Sequence, residues 1–283
     1  MRKILAILIR FLNLSFKQGY YYPLLEKRIL GPFRIFKNTI IDCRYDETFI
    51  FRANLNDWIQ HHVFFMGYYD LELSNWIKQN VKPGSFVFDI GANVGVFALL
   101  FSKRVGDTGK VFAIEPYPAN ANALIQNLTL NEVKNVSVLL NPLGKNQELV
   151  SLEAFHAENQ GMVFTKSLDR NASNSLCTSM QITGDNAVGA LGIERLDIIK
   201  IDAEAHDIEI LWSLEKSIFH FRPLIILEFQ STMIEHINDL QKFTEKFSYE
   251  MKTLKGESVE KFFVENPNNS EVNVMLKPLN LVQ

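Results

Sequence analysis

A short stretch, residues 86–97, constrains the fold of this chain more than any other. An apolar run ends at Asp89, glycines follow at Gly91 and Gly95, and a second apolar run begins at Val96. This order predicts a strand, a tight turn and a helix. Glycine lets a backbone come close to a ligand, and a helix N-terminus offers unpaired N–H groups. The stretch therefore predicts a binding site for a small molecule.

The spacing of the glycines separates two cofactors. A dinucleotide site needs Gly-x-Gly-x-x-Gly, so that a pyrophosphate can lie against the helix start. The three positions here are Gly91, Asn93 and Val96, and only the first matches. S-adenosylmethionine carries an ammonium, a carboxylate and a sulfonium cation, which suit the strand-end carboxylate and the N–H groups of the turn. The residues predicted to bind this methyl donor are Asp89, Gly91, Ala92, Asn93 and Gly95.

Two further strand ends extend the predicted cofactor site. The second strand, residues 111–114, ends in a glutamate that is placed to accept hydrogen bonds from both ribose hydroxyls. The third strand, residues 136–140, leads into a leucine that can pack on an adenine ring. The residues added to the donor site are Glu115, Pro116, Asn141 and Leu143.

Carboxylates also follow the fourth and fifth predicted strands, residues 196–202 and 223–228. The C-terminal ends of parallel strands form the binding crevice of an open sheet, so these groups are expected beside the donor. If the methyl acceptor is an alcohol, it needs a base or a metal ion to become a nucleophile. We favour a single base and predict no metal, because a Mg²⁺ site needs several well-placed oxygen ligands. The candidate catalytic residues are Asp202, Glu204 and Glu228, with His206 beside them.

In their order along the chain, these motifs resemble the FkbM family of S-adenosylmethionine-dependent methyltransferases. The resemblance covers roughly residues 55 to 230 and rests on Gly67-Tyr68-Tyr69-Asp70, residues 89–95, Glu115-Pro116, residues 200–204 and residues 223–228. The family's usual Asp-Val-Glu-Gly-x-Glu motif is altered here, because Ala205 replaces its glycine and Asp207 its second glutamate.

The resemblance implies a class I methyltransferase fold, an α/β Rossmann-like architecture. It has a seven-stranded, mostly parallel sheet with an antiparallel last strand and helices on both faces. The resemblance also implies O-methylation of a hydroxyl on a sugar, polyketide or related metabolite. Two other functions stay open: a non-catalytic partner module built on this fold, and a dinucleotide-dependent oxidoreductase, which the missing glycines disfavour.

The 283 residues predict one large domain, residues 33–283 with core motifs at 67–230, and an N-terminal helical arm, residues 1–32. Residues 148–183 interrupt the strand–helix alternation and are expected to cover the pocket. The net charge of −3 disfavours nucleic acid as a partner. Cys43 and Cys177 match no metal spacing and predict a reducing, cytoplasmic compartment. The sequence predicts no oligomeric state.

Residues 1–17 mix basic and apolar side chains and predict a helix too short to cross a bilayer. Two interpretations stay open. In one, the helix contacts the inner face of an anionic membrane through its basic and apolar residues. In the other, it packs on its own domain or on a second subunit.

Overall fold

The structure is a computed structural model that describes residues 1–15, 22, 28, 35–156, 159–167, 177–203, 206–230, 237–266 and 271–279. In chain order its first elements are α1 (Arg2–Ser15), β1 (Ile40–Tyr45), β2 (Phe49–Asn54), α2 (Trp58–Met66), α3 (Leu71–Asn80), β3 (Phe86–Ile90), α4 (Val96–Val105), β4 (Lys110–Ile114), α5 (Pro118–Leu130) and β5 (Val136–Leu139). The later elements are β6 (Glu148–His156), β7 (Asn159–Ser167), β8 (Thr178–Gln181), α6 (Gly184–Ala190), β9 (Ile198–Ile201), α7 (Asp207–Ser213), α8 (Glu215–Phe221), β10 (Leu224–Gln230), α9 (Ile237–Phe247), β11 (Tyr249–Thr253), α10 (Val259–Glu265) and β12 (Glu271–Pro278).

Seven strands form the central sheet, in the order β11-β12-β10-β9-β3-β4-β5. The pairs among β10, β9, β3, β4 and β5 are parallel, and β12 runs antiparallel to both β10 and β11. The seven-stranded, mostly parallel sheet predicted from the sequence is thereby confirmed. The order also places β3 and β9 side by side at the centre, so that the turn after β3 meets the acidic stretch after β9.

Two hydrophobic cores, one on each face, hold this sheet between helices. Val87 of β3 packs into the core formed with α2 to α5, whereas Phe88 and Ile90 pack into the core formed with α6 to α9. Successive side chains of a strand point to opposite faces, so a strand with helices on both sides must be apolar at nearly every position. This explains why β3 and β9 read as almost unbroken apolar runs.

The residue pattern after the fourth predicted strand predicts a single helix from Asp207 to Phe219, and this prediction is wrong, because the structure has α7 and α8 with a break at Leu214. The break is stabilised from outside the segment. The Asp185 carboxylate accepts hydrogen bonds from the backbone N–H groups of Lys216 and Ser217, at 3.1 and 2.9 Å, and so caps the start of α8. This capping residue comes from α6, which the sequence pattern did not predict. The predicted helix from residue 232 is described from Ile237 onwards, and its first residues lie outside the described part.

The segment predicted as an insertion forms a separate three-stranded sheet in the order β7-β6-β8. Its strands β6 and β8 match the predicted strand pieces, whereas β7 was not predicted. The polar run at residues 169–175 lies outside the described residues. Within the described part of the chain, no helix is both long enough and apolar enough to span a membrane.

Helix α1 packs on α2, so the described part of the predicted arm contacts the rest of the protein. Arg2 donates a hydrogen bond to the carbonyl of Lys37, and Arg10 donates to the carbonyls of Val63 and Arg44. Arg2 and Arg10 thus bind backbone carbonyls of the domain, while membrane contact through residues 1–17 stays a prediction. The proposed division at residue 32 stays a prediction.

Candidate active site

A cavity lies where β3, β4, β5 and β9 end, on the edge of the sheet that carries their C-terminal residues. This is the edge at which open parallel sheets bind ligands. Seven of the residues predicted from the sequence line it: Gly91, Ala92, Asn93, Glu115, Pro116, Leu143 and Asp202. Their roles in binding and catalysis stay predictions.

The turn after β3 is held against the end of β9 with no space between them. Gly91 has a φ of +73°, and a Cβ built on it would lie 1.7 Å from the backbone carbonyl oxygen of Asp202. A residue with a side chain is excluded there by the protein itself, before any ligand is considered. Gly95, whose added Cβ would lie 2.7 Å from Leu124 Cδ1, lets α4 pack against α5.

Glu115, at the end of β4, is buried and fixed by three donors. Its Oε2 accepts a hydrogen bond from the N–H of Asn93 at 2.9 Å, and its Oε1 accepts one from the N–H of Tyr117 at 2.9 Å. Asn120, which is also buried and lines the cavity, adds a side-chain hydrogen bond. Burial raises the pKa of Glu115 to about 7, although these hydrogen bonds act in the opposite direction. A carboxylate held in this way suits the ribose hydroxyls of the donor.

A buried ion-pair cluster lies under the turn. Lys200, only 2% exposed, places Nζ 3.3 Å from Asp89 Oδ1, 3.3 Å from Asp202 Oδ2 and 3.3 Å from the carbonyl oxygen of Gly91. Burial by itself lowers the pKa of Lys200, but the charges of Asp202 and Asp89 outweigh it, so the pKa is raised and the lysine stays charged. The pKa of the fully buried Asp89 is raised by burial, with Lys200 opposing. The lysine therefore joins both carboxylates to the turn.

Asp89 does not reach the cavity surface, and its contact with Lys200 is its principal charged contact. Among the described residues, neither of its carboxylate oxygens accepts a hydrogen bond of normal geometry. Sequence reasoning placed Asp89 against the cationic groups of the donor but did not assign Lys200. The signal was present, because Lys200 is a charged residue inside the otherwise apolar run Ile198–Ile201.

The N–H groups of the turn are partly used inside the protein. Those of Gly91 and Ala92 both donate to the carbonyl of Ile114, and that of Asn93 donates to Glu115. The first N–H groups of α4 follow, and the residue that precedes this helix, Gly95, supplies no side-chain cap. Val96 and Phe97 at this helix start line the cavity, so the positive end of the helix dipole lies where an anionic group of a ligand could bind.

Three predicted residues lie elsewhere or outside the described part. Asn141 is partly buried, donates a hydrogen bond to the carbonyl of Met180 at 2.9 Å and does not line the cavity. Glu228, on β10, is also absent from the described cavity wall. Glu204 lies outside the described residues, as does Ala205, so the structure does not place either of them.

The opposite wall of the cavity comes from parts of the chain that the motifs did not identify. Ile59 of α2, Tyr69 of the turn before α3, and Leu152 of β6 line it. The Tyr69 ring lies 6.1 Å from Phe97 and 6.0 Å from Trp58, measured between ring centroids, and Trp58 is 56% exposed. This wall is apolar and aromatic, in contrast to the charged wall formed by the strand ends.

The segment after β9 adds His206 to the cavity and Asp207 behind it. His206 lines it, with Nδ1 3.4 Å from Glu209 Oε2. Asp207 is buried and accepts a hydrogen bond from the N–H of Ala203 at 3.0 Å, which stabilises the loop after β9. Burial, together with the charge of Asp202, raises the pKa of Asp207 to about 6. Within the described ranges, no group of three or more His, Cys, Asp or Glu side chains is arranged to hold a metal ion.

The sheet order and this cavity together define a class I methyltransferase. The cavity contains a buried carboxylate, an apolar side chain and a helix start, the three groups predicted to contact the ribose, the adenine and the carboxylate of the donor. Its charged groups include the carboxylates of Glu115 and Asp202 with the ammonium of Lys200, an environment that suits a ligand that carries a sulfonium and an ammonium.

Comparisons with known proteins agree with this assignment. The profile of the methyltransferase FkbM domain matches residues 89–255. Methyltransferase sdnD from Sordaria araneosa is 22% identical over 176 residues, which cover 53% of this chain and 68% of that protein. The chain belongs to the FkbM methyltransferase family, and its methyl donor is S-adenosylmethionine.

Two solved structures are also similar to this chain. Methyltransferase FkbM from Methylobacillus flagellatus KT is 14% identical with a TM-score of 0.46, and the match covers 69% of this chain and 44% of that one. TYW2 from M. jannaschii, solved with AdoMet, is 15% identical with a TM-score of 0.46, covering 85% and 86%. The chain thus spans less than half the length of the Methylobacillus protein.

Proposed function

We propose that the protein methylates a hydroxyl group of a sugar, a glycan or a related small metabolite. The donor supplies a methyl group that is already activated on a sulfonium, so the protein has mainly to orient the acceptor and take up one proton. The observation that carries the proposal is Asp202, a carboxylate at the cavity directly after β9.

Asp202 is the proposed proton acceptor. Its side chain is 31% exposed, and the contact of Lys200 with Oδ2 leaves Oδ1 for the proton of an acceptor hydroxyl. A base acts efficiently only when it lies within hydrogen-bond reach of the proton, so the ion pair that fixes Asp202 supports this role. Glu204 stays a second candidate on the same loop. We propose that no metal ion takes part.

The aromatic wall supports a sugar-like acceptor. Apolar faces of sugar rings pack on aromatic side chains, which offer a large rigid surface and lose little conformational entropy when they bind. Tyr69 lines the cavity, and the half-exposed Trp58 extends this surface outwards. The proposed compartment is the cytoplasm, which the low cysteine content of the chain, two residues in 283, supports.

Labelled transfer tests the reaction. The protein is incubated with methyl-labelled donor and a metabolite extract that includes glycans, and the labelled product is identified by mass spectrometry. We expect an O-methyl ether. A labelled methyl on nitrogen, carbon or sulfur would overturn the proposed acceptor class.

A matched pair of carboxylate variants tests the base. Asp202→Asn should lower turnover by about 10²–10⁴-fold with donor affinity retained. Glu228→Gln, a carboxylate change on the next strand that does not reach the described cavity wall, should have little effect. Activity should persist in EDTA. A larger loss at Glu228, or loss in EDTA restored by Mg²⁺, would reject the metal-free role of Asp202.

A further inference from the structure

Helix α1 has two sides of opposite character, and the polar one faces the protein. Ala6, Arg10 and Asn13 lie along one side, where Ala6 is buried, Arg10 binds the carbonyls of Val63 and Arg44, and Asn13 donates to the carbonyl of Phe65. The guanidinium of Arg10 also lies 5.1 Å from the centroid of the Phe64 ring. These contacts fix the rotation of the helix about its axis.

The other side of α1 is exposed and consists of large apolar side chains. Ile4 is 72% exposed and Phe11 is 64% exposed, and seven residues belong to this apolar face of α1: Ile4, Leu5, Ile7, Leu8, Phe11, Leu12 and Leu14. A helix that packs only on its own domain turns its apolar side inwards. Here the arrangement is reversed, and a continuous apolar surface of this kind marks an interaction site.

The part of the sequence that contains α1 is strongly basic. Residues 1–45 contain nine lysines and arginines but only two acidic residues, whereas the rest of the chain contains 20 basic and 30 acidic residues. Exposed cations next to the helix include Lys3, Lys37 and Arg44, the last two in segments whose carbonyls bind Arg2 and Arg10. Two copies of this region would repel each other, whereas an anionic bilayer surface would attract it.

We propose that the apolar face of α1 docks on an anionic phospholipid bilayer, with the helix lying in the plane of the interface. Its 14 residues correspond to a length of about 21 Å, and a helix lying there buries one face among the acyl chains and headgroups. The apolar side chains supply the burial, and the surrounding cations supply the attraction to anionic headgroups.

Helix α1 lies next to the part of the cavity lining that we assign to the acceptor. This part, Ile59, Tyr69 and Leu152, is called the acceptor wall below. Helix α1 packs on α2, which contributes Ile59 to that wall. Leu14 lies at the turn after α2, where its Cδ2 would be 3.7 Å from a Cβ placed on Gly67, two residues before Tyr69. Docking would therefore bring the cavity close to the bilayer. If the proposed function is also correct, the acceptor hydroxyl belongs to a lipid-borne molecule. The docking itself does not depend on the proposed function.

Vesicle sedimentation of the full chain tests the docking. Wild-type protein should sediment with phosphatidylglycerol/phosphatidylcholine vesicles, less with phosphatidylcholine alone, and less at high salt. Phe11→Gln with Ile7→Gln should weaken the partition coefficient by about tenfold or more, because two large apolar groups are lost from the face. Phe219→Gln, a matched change of an exposed phenylalanine on α8, should leave the partition unchanged.

A second pair of variants tests how much the basic side chains contribute to vesicle binding. Lys3→Glu should weaken binding to anionic vesicles, whereas Lys216→Glu on α8 should not. Absence of vesicle binding by the wild type, or equal losses in the paired variants, would overturn the docking. A concentration-dependent dimer that Phe11→Gln dissociates, without vesicle binding, would assign the face to a second copy instead.

Calorimetry with S-adenosylmethionine separates this proposal from the proposed function. All the α1 and α8 variants should bind the donor as the wild type does, because none of them contacts the cavity. Vesicle binding and methyl transfer are thus read out independently, and failure of one does not imply failure of the other.

Discussion

The two walls of the cavity differ in how the chain builds them. The donor wall consists of three strand ends and one helix start, and its groups are held by short contacts within the core, such as Gly91 against Asp202 and Glu115 against Asn93. The proposed acceptor wall, formed by Ile59, Tyr69 and Leu152, is assembled from α2, the turn before α3, and the small separate sheet. The donor wall therefore tolerates little change, while the acceptor wall can vary without disturbing the sheet.

The largest effect is expected at the contact between β3 and β9. Gly91→Ala should abolish donor binding and cost more than about 4 kcal/mol of unfolding free energy, because the new Cβ would lie 1.7 Å from the carbonyl oxygen of Asp202. Calorimetry with the donor and denaturant unfolding measure both.

Gly192→Ala is the matched control for this change. Gly192 also has a positive φ, +62°, but nothing lies within 4 Å of the added Cβ. This variant should lose only about 1–2 kcal/mol, the usual penalty for the left-handed conformation. If both variants lost the same unfolding free energy, the cost at Gly91 would come from its positive φ and not from the close approach of β3 and β9.

The second effect concerns the buried ion pairs beneath the donor wall. Lys200→Met should lower the unfolding free energy by about 3–5 kcal/mol, because it leaves the buried Asp89 without its cation. The pKa of Asp89 is raised in the folded protein, and loss of Lys200 raises it further. A carboxyl group of this kind favours the folded state at low pH, and its contribution is lost as pH rises through the folded pKa. The variant should therefore be closest to wild type in acid.

Denaturant unfolding at several pH values checks this prediction. Lys242→Met, which breaks the exposed pair with Asp239, should cost less than about 1 kcal/mol. If Lys200→Met costs no more than this control, the cluster under the turn does not stabilise the site.

The smallest expected effect is on donor affinity, measured for one variant in each wall of the cavity. Glu115→Ala should weaken donor binding by about 1–3 kcal/mol, because the ribose loses its acceptor and the N–H groups of Asn93 and Tyr117 lose theirs. Tyr69→Ala, on the acceptor wall, should leave donor affinity nearly unchanged. Calorimetry measures both, and a Tyr69 effect as large as that of Glu115 would show that the donor also uses the aromatic wall.

The sequence by itself determined the central sheet and most of the donor wall. Buried parallel strands need an apolar side chain at nearly every position, and a tight turn or a strand-end carboxylate must then interrupt the run, so both signals are local. For this reason Gly91, Glu115 and Leu143 were found from spacing alone, and the structure places all three at one cavity.

Only the tertiary structure decided which groups come together from distant segments. The pairing of Lys200 with Asp89 depends on the neighbourhood of β9 and β3, and the acceptor wall depends on α2 and β6 reaching the same cavity. The orientation of α1 was also undetermined, because the apolar period of a helix identifies its two sides but not which of them faces the protein. Here the hydrogen bonds of Arg10 and Asn13 to carbonyls of the domain decide it, since they hold the polar side inwards and leave the apolar side exposed.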